Sequence, residues 1–130
     1  MTPITGGCAC GAVRYECNAD PIMAAHCFCR DCQRSSGTAM ASEILVPAAA
    51  LKVSGELKVH EVIGGSGSKV HRSFCPNCGS PILLQILADP KHVAITAGSL
   101  DDPAIFQPKM QVFVSSAPGW AVLRDDIPKM

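Results

Sequence analysis

Seven of the eight cysteines in this 130-residue chain fall into three tight groups. Cys8-Ala9-Cys10 lies between Gly6-Gly7 and Gly11. Cys27-Phe28-Cys29-Arg30-Asp31-Cys32 puts three thiols within six residues, and Cys75-Pro76-Asn77-Cys78-Gly79 is a knuckle. Cys17 stands alone and reads as a small buried or half-exposed hydrophobe. What the groups mean depends on the compartment. Met1–Asp20 has no cationic start followed by an apolar run, so it does not read as a signal peptide. The longest apolar stretches, Ile44–Leu51 and Pro81–Leu87, fall well short of the ~20 residues of a membrane span. We therefore expect a cytoplasmic, reducing setting, in which clustered cysteines serve as metal ligands or reactive thiols rather than disulfides.

The knuckle has a geometric logic. Two residues between thiols make a tight turn that aims both sulfurs at one ion, and Gly79 stands where such a turn commonly needs positive φ. Tetrahedral zinc takes four ligands at about 2.3 Å, so one knuckle is half of a structural site. Cys8 and Cys10 are the best supply for the other half. On a straight strand, residues two apart would hold their sulfurs about 6–7 Å apart. Two sulfurs on one zinc sit nearer ~4 Å, so the backbone must bend at Cys8–Cys10, which the flanking glycines permit. Disulfides or independent buried thiols are the competing readings.

The cluster of Cys27, Cys29 and Cys32 is odd-numbered. Its thiols can reach one ion if a short helix starts after Cys29. Three protein ligands leave a fourth position open, the pattern of a catalytic zinc. Competing readings are a Cys₃His site using His26 or a distant histidine, a redox dithiol with a spare thiol, and a cluster without metal. His26 is poorly placed to share the ion, so a supporting or packing role is favoured.

Length fits one domain, residues 1–130. Eleven Lys+Arg balance eleven Asp+Glu, which argues against a nucleic-acid or anionic-membrane partner. Hydrophobic residues at 48% and charged residues at 17% exclude disorder, while 11 Gly and 10 Pro exclude a helical bundle. The regular segments are short and extended: Ala12–Glu16, Met40–Val46, Leu51–Val53, Leu57–Ile63, Lys69–Phe74, Pro81–Leu87, His92–Ala97 and Met110–Val114. That is the all-β pattern. Leu51–Val53 and Leu57–Ile63 read as a hairpin around Ser54-Gly55-Glu56, and Gly64–Ser68 as a flexible tip. Helix is expected over Arg30–Ser36, capped by Gly37, with single turns at Ala48–Ala50 and after Pro103. His60, His71 and His92 read as surface packing, Lys69 and Arg72 as strand-surface charges, and Trp120 as an anchor for the terminal segment.

Three segments resemble the glutathione-dependent formaldehyde-activating enzyme family. They are Gly6-Gly7-Cys8-Ala9-Cys10-Gly11-Ala12-Val13-Arg14-Tyr15, the run from His26 to Gly37 (HCFCRDCQRSSG), and Arg72-Ser73-Phe74-Cys75-Pro76-Asn77-Cys78-Gly79-Ser80-Pro81. Weaker echoes follow in Ala97–Asp101 and Pro118-Gly119-Trp120. The resemblance implies an Mss4-like β-tent of stacked antiparallel sheets with short helical turns, stapled by zinc. It implies a structural zinc on Cys8, Cys10, Cys75 and Cys78, and a catalytic zinc on Cys27, Cys29 and Cys32, two ions per chain with the cluster site able to stand empty. The implied activity is that of a carbon–sulfur lyase joining glutathione to formaldehyde as S-hydroxymethylglutathione. Phe28 stands where members often carry histidine, and the chain is shorter than the founding enzymes.

The residues allow that chemistry. Metal coordination deprotonates a bound thiol, which then adds to an aldehyde carbon. A proton must reach the oxygen, from water or from His26 if it lies near, and Arg30 or Arg34 can receive a glutathione carboxylate. Asp31 reads as an N-terminal helix residue or a partner for a nearby arginine. Two other functions compete: a non-enzymatic zinc module that contacts a partner protein, and a thiol that responds to redox state or metal. The third cysteine group favours the enzyme, because a purely structural module needs only residues 8, 10, 75 and 78.

Overall fold

The computed structural model describes residues 2–130. Ten strands form two sheets. The smaller sheet has the order β1-β2-β5, with β1 at Ile4–Gly7, β2 at Arg14–Cys17 and β5 at Leu51–Ser54. The larger has the order β10-β3-β4-β9-β8-β7-β6. Its strands are β3 Met23–Cys27, β4 Ala41–Pro47, β6 Lys58–Ile63, β7 Lys69–Phe74, β8 Pro81–Ile86, β9 His92–Thr96 and β10 Met110–Val112. Pairing is antiparallel except that β10 joins β3 parallel. One helix, α1, spans Arg30–Ser36. Single 3₁₀ turns lie at Ala48–Ala50 and Pro103–Ile105, as expected, and at Ala97–Ser99 and Val114–Ser116.

The all-β expectation holds, and the core lies between the sheets. Ile4, Tyr15 and Cys17 from the smaller sheet pack with Ile44, Val46 and Ile95 from the larger. Large rings are scarce, so β-branched side chains and thiols fill the space, and Cys17 is fully buried. Tyr15 closes one end of the core, its hydroxyl 2.7 Å from Ser99 Oγ, and burial pushes its pKa up to about 12. Asp101 ties the smaller sheet to the segment after β9. It accepts from Thr5 Oγ1 at 2.8 Å and from Arg14 Nη1 at 2.9 Å, and the Arg14 guanidinium holds its carboxyl near 2.

Three expectations need correction. Leu51–Val53 and Leu57–Ile63 are not a hairpin. β5 pairs with β2 and β6 pairs with β7, so Ser54-Gly55-Glu56 carries the chain from one sheet to the other. Gly55 makes the crossing possible: its φ is 93°, and a Cβ there would stand 2.1 Å from the Ala12 carbonyl oxygen. Gly55→Ala is expected to cost about 1–3 kcal/mol, read as a lower melting temperature with unchanged metal content. An unchanged melting temperature would refute the close approach.

The second correction concerns Trp120, which is 70% exposed and anchors nothing. The C-terminal segment is held instead by buried Gln111, whose amide donates to Arg124 O at 2.9 Å and accepts from Arg124 N at 2.8 Å. Gln111 also pairs through its backbone with Pro128 and Met130. A side-chain amide copies the backbone pattern, which a tryptophan cannot do. The third correction adds two strands. β1 (ITGG) and β3 (MAAHC) are strands although glycine and alanine are poor strand formers, because their neighbours supply pairing on both sides of β3 and along β1.

Candidate functional site

The first cluster is made by two turns. After β1 the chain folds back, Cys8 N donating to Val13 O at 3.0 Å and Gly11 N to Cys8 O at 3.2 Å. This is the bend that the Cys8–Cys10 spacing demands. At the end of β7, Gly79 N donates to Cys75 O at 2.8 Å and Cys75 N to Ser80 O at 3.0 Å, with Gly79 at φ 79°. The four sulfurs all lie within 4.8 Å of one another. Cys8 and Cys10 Sγ are 3.6 Å apart and Cys10 and Cys75 Sγ 3.8 Å, against ~3.8 Å for two thiolates on one tetrahedral zinc. The donor set and the spacing therefore fit an ion of that kind.

Donors surround the sulfurs, as thiolate ligands require. Val13 N reaches Cys8 Sγ at 3.2 Å, Asn77 Nδ2 reaches Cys10 Sγ at 3.2 Å, and Ser80 Oγ is 3.2 Å from Cys78 Sγ. The Val13 amide lowers the Cys8 pKa against desolvation, and Ser80, through side chain and backbone, brings Cys78 down to about 5. Ser80 also accepts from Ala9 N at 3.0 Å, so it locks the two turns together.

The second cluster is built at a strand–helix junction. Cys27 ends β3, Cys29 is the N-cap of α1, and Cys32 lies in the first turn, its N–H donating to Cys29 Sγ at 3.3 Å. The three sulfurs lie within 4.8 Å of one another. The helix behaves as expected, with Asp31 in its first turn and Gly37 at φ 75° closing its C-terminus. Cys32 is buried, Cys27 and Cys29 half-buried. Crowding by Cys27, then burial, pushes Cys32 up, and burial pushes Cys29 up. Cys29 and Cys32 so placed resist carrying charge unless a cation joins them.

His26 is not part of this group. Adjacent strand residues point to opposite faces, so His26 turns away from Cys27. Its Nδ1 is 2.7 Å from Ser42 Oγ and its ring meets Phe106 edge-on at 5.2 Å. Burial lowers its pKa. That is the packing role, and it removes the Cys₃His arrangement with His26. His71 and His92 make surface contacts with Glu61 and Asp89, each at 2.9 Å.

A cleft of about 900 Å³ is lined by Cys8 of the first cluster and reaches the second only through Arg72 and Ser35. The Cys8–Ala9 and Gly79–Ser80 turns line one part of it, and Ser35, Arg72 and Glu43 another. Cys27, Cys29 and Cys32 do not line it themselves. Arg72 stands at the boundary, its Nη1 donating to Ser35 Oγ at 2.9 Å and its Nη2 3.8 Å from Cys32 Sγ. Arg30 and Arg34, able in sequence to receive a carboxylate but read first as a solvated helix face, are exposed on α1 and do not line the cleft, and Arg30 is engaged by Gln33. In the sequence Arg72 reads as a strand-surface charge. Its place two residues before Phe74 and three before Cys75 was the one available signal.

A mild chelator should remove metal from the three-cysteine group before the four-cysteine group, because three ligands hold less tightly than four. Metal release followed with a chromophoric chelator, on wild type and Cys29→Ala, checks the order. A first phase surviving in Cys29→Ala would reverse it.

Two cysteine clusters that can each hold a metal ion are set in an all-β fold with a cleft nearby. The sequence profile described as glutathione-dependent formaldehyde-activating enzyme matches residues 3–116, and the chain belongs to that family. The fold is consistent with the Mss4-like type. The chain is similar to the crystal structure of a Rhodobacter sphaeroides protein, with a TM-score of 0.62 and 20% identity over 97% of this chain and 99% of that one. That likeness speaks for the fold alone. A search of curated proteins finds no match. No helix among the described residues is long and apolar enough to cross a membrane.

Proposed function

We propose that this protein is a carbon–sulfur lyase that joins a thiol, glutathione, to formaldehyde or a related small electrophile in a reducing compartment. The observation that carries the reading is the convergence of three thiols, not four, with Arg72 linking Cys32 to a substrate-sized cleft. Cys8, Cys10, Cys75 and Cys78 would hold a structural zinc, and Cys27, Cys29 and Cys32 a second one. When bound at the three cysteines, zinc supplies the Lewis acidity that keeps an incoming thiol deprotonated near neutral pH. The chain does the rest. The cleft gathers two small reactants and so removes much of the entropic barrier to their meeting. Arg72, the cation shared by cleft wall and cluster, favours an anionic thiol at that end of the cleft.

The test is product formation. Metal-replete protein with glutathione and carbon-13-labelled formaldehyde should accelerate exchange into S-hydroxymethylglutathione, followed by exchange NMR. A rate equal to that without protein would overturn the reading. A spectral response to glutathione in cobalt-loaded protein without product would retain the thiol and reject only this electrophile.

A further inference from the structure

We propose that Glu43 is the proton donor of this reaction: from the floor of the cleft, one strand away from Cys27, it protonates the carbonyl oxygen as sulfur adds to carbon. The inference rests on the thiol-addition reading above and supplies the group that reading lacks.

Strand register places the carboxyl. β3 and β4 pair antiparallel with Cys27 opposite Ala41 and Ala25 opposite Glu43. Side chains alternate along a strand, so Ala41 and Glu43 share the face that carries Cys27. Diagonal neighbours across such a pair are about 7–8 Å apart. Ala41 and Glu43 both line the cleft, so its floor runs up to the strand that ends in Cys27. Arg72 fixes the neighbourhood from the other side: it acts on the Glu43 carboxyl and touches Cys32 and Ser35. His26, the obvious candidate from sequence, faces the opposite way and is held by Ser42 and Phe106.

The environment suits a proton donor. Glu43 belongs to none of the ion pairs among the described residues. The strands on either side oppose it with Ala25 and Thr96, neither of them charged, and Arg72 from β7 is the cation that acts on it. Burial pushes its carboxyl above the usual carboxylate range, against the pull of Arg72. A glutamate is also a poor choice for an interior strand position, so the fold tolerates it rather than needs it.

The step balances. The thiol gives its proton to solvent before attack. The sulfur lone pair then forms the carbon–sulfur bond while the carbonyl π pair moves to oxygen. Oxygen takes the Glu43 proton and becomes the hydroxyl of the hydroxymethyl thioether. The carboxylate left behind takes a proton from water through the open cleft. In the reverse direction it acts as the base.

The experiment compares metal-loaded wild type, Glu43→Gln and Glu43→Ala, each checked for metal content and for the cobalt spectral response to glutathione. Glu43→Gln should keep both, keep KM for glutathione, and lose kcat by about 10²-fold or more. Acetic acid should restore the rate of Glu43→Ala in proportion to its concentration, which a structural role would not produce. Wild-type kcat in Glu43→Gln, loss of the glutathione response, or no rescue by acetic acid would each overturn the assignment while thiol addition stands. A wild type that forms no adduct would overturn thiol addition itself, and the proton donor with it.

Discussion

Cys78→Ser should leave a chain that does not fold stably. Cys78 is one of four sulfurs, all within 4.8 Å of one another, that bring the turn after β1 together with the end of β7, segments 65 residues apart between Cys10 and Cys75. A structural zinc of this type contributes about 10–16 kcal/mol of folding free energy in small metal-dependent domains. A whole domain is stable by only about 5–15 kcal/mol. Losing a ligand therefore removes a share the aliphatic core cannot replace, and Cys8 and Cys75, both core members, lose their partner as well. Circular dichroism melting and metal content of the variant check this. Cys78→Ser with a wild-type melting curve would show that the four sulfurs do not staple the fold.

The second large effect is selective. Cys29→Ala should abolish product formation and leave the fold nearly intact. Cys27, Cys29 and Cys32 close a loop of six residues, and so short a loop closes at little entropic cost. The structure adds a defined penalty, because Cys29 Sγ caps α1 by accepting from Cys32 N. Loss of an N-cap costs about 1 kcal/mol, and for a chain of this size the melting temperature should fall by roughly 4 °C. Cys29→Ser, which restores a capping oxygen, should recover most of that shift without restoring activity. A Cys29→Ala variant that unfolds outright, or that still makes product, would break the separation between stapling and reacting clusters.

The cysteine groups were legible because their logic is local. Two thiols around two residues make half a site whatever the rest of the chain does, and Gly6, Gly7, Gly11 and Gly79 announced the bends. Helix α1 was legible for the same reason, from Cys29 to Gly37. What escaped depends on long-range geometry. β1 and β3 are strands because partners lie beside them, not because ITGG or MAAHC favours extension. Ser54-Gly55-Glu56 has the composition of a hairpin turn, and only the approach of Ala12 reveals a crossing between sheets. Glu43 and Arg72 carry charges on strands, which in sequence looks like a solvent face. Register and the arrangement of α1 beside β4 and β7 bring them to the cleft.

The end of β7 lies against both clusters. Arg72 holds Ser35 and Cys32, and Cys75, three residues on, is a buried member of the four-cysteine group. The two positions are about 10 Å apart on one extended segment. If the four-cysteine group staples the fold, freeing the Cys75 end is expected to slacken the Arg72 end, which lies 3.8 Å from Cys32 Sγ. Of the four ways to load two sites, a filled three-cysteine cluster beside an empty four-cysteine one is then expected to be the rarest. Under metal scarcity the cell would then hold fewer competent molecules, each of full quality, and a remainder that is folded but idle or not folded at all.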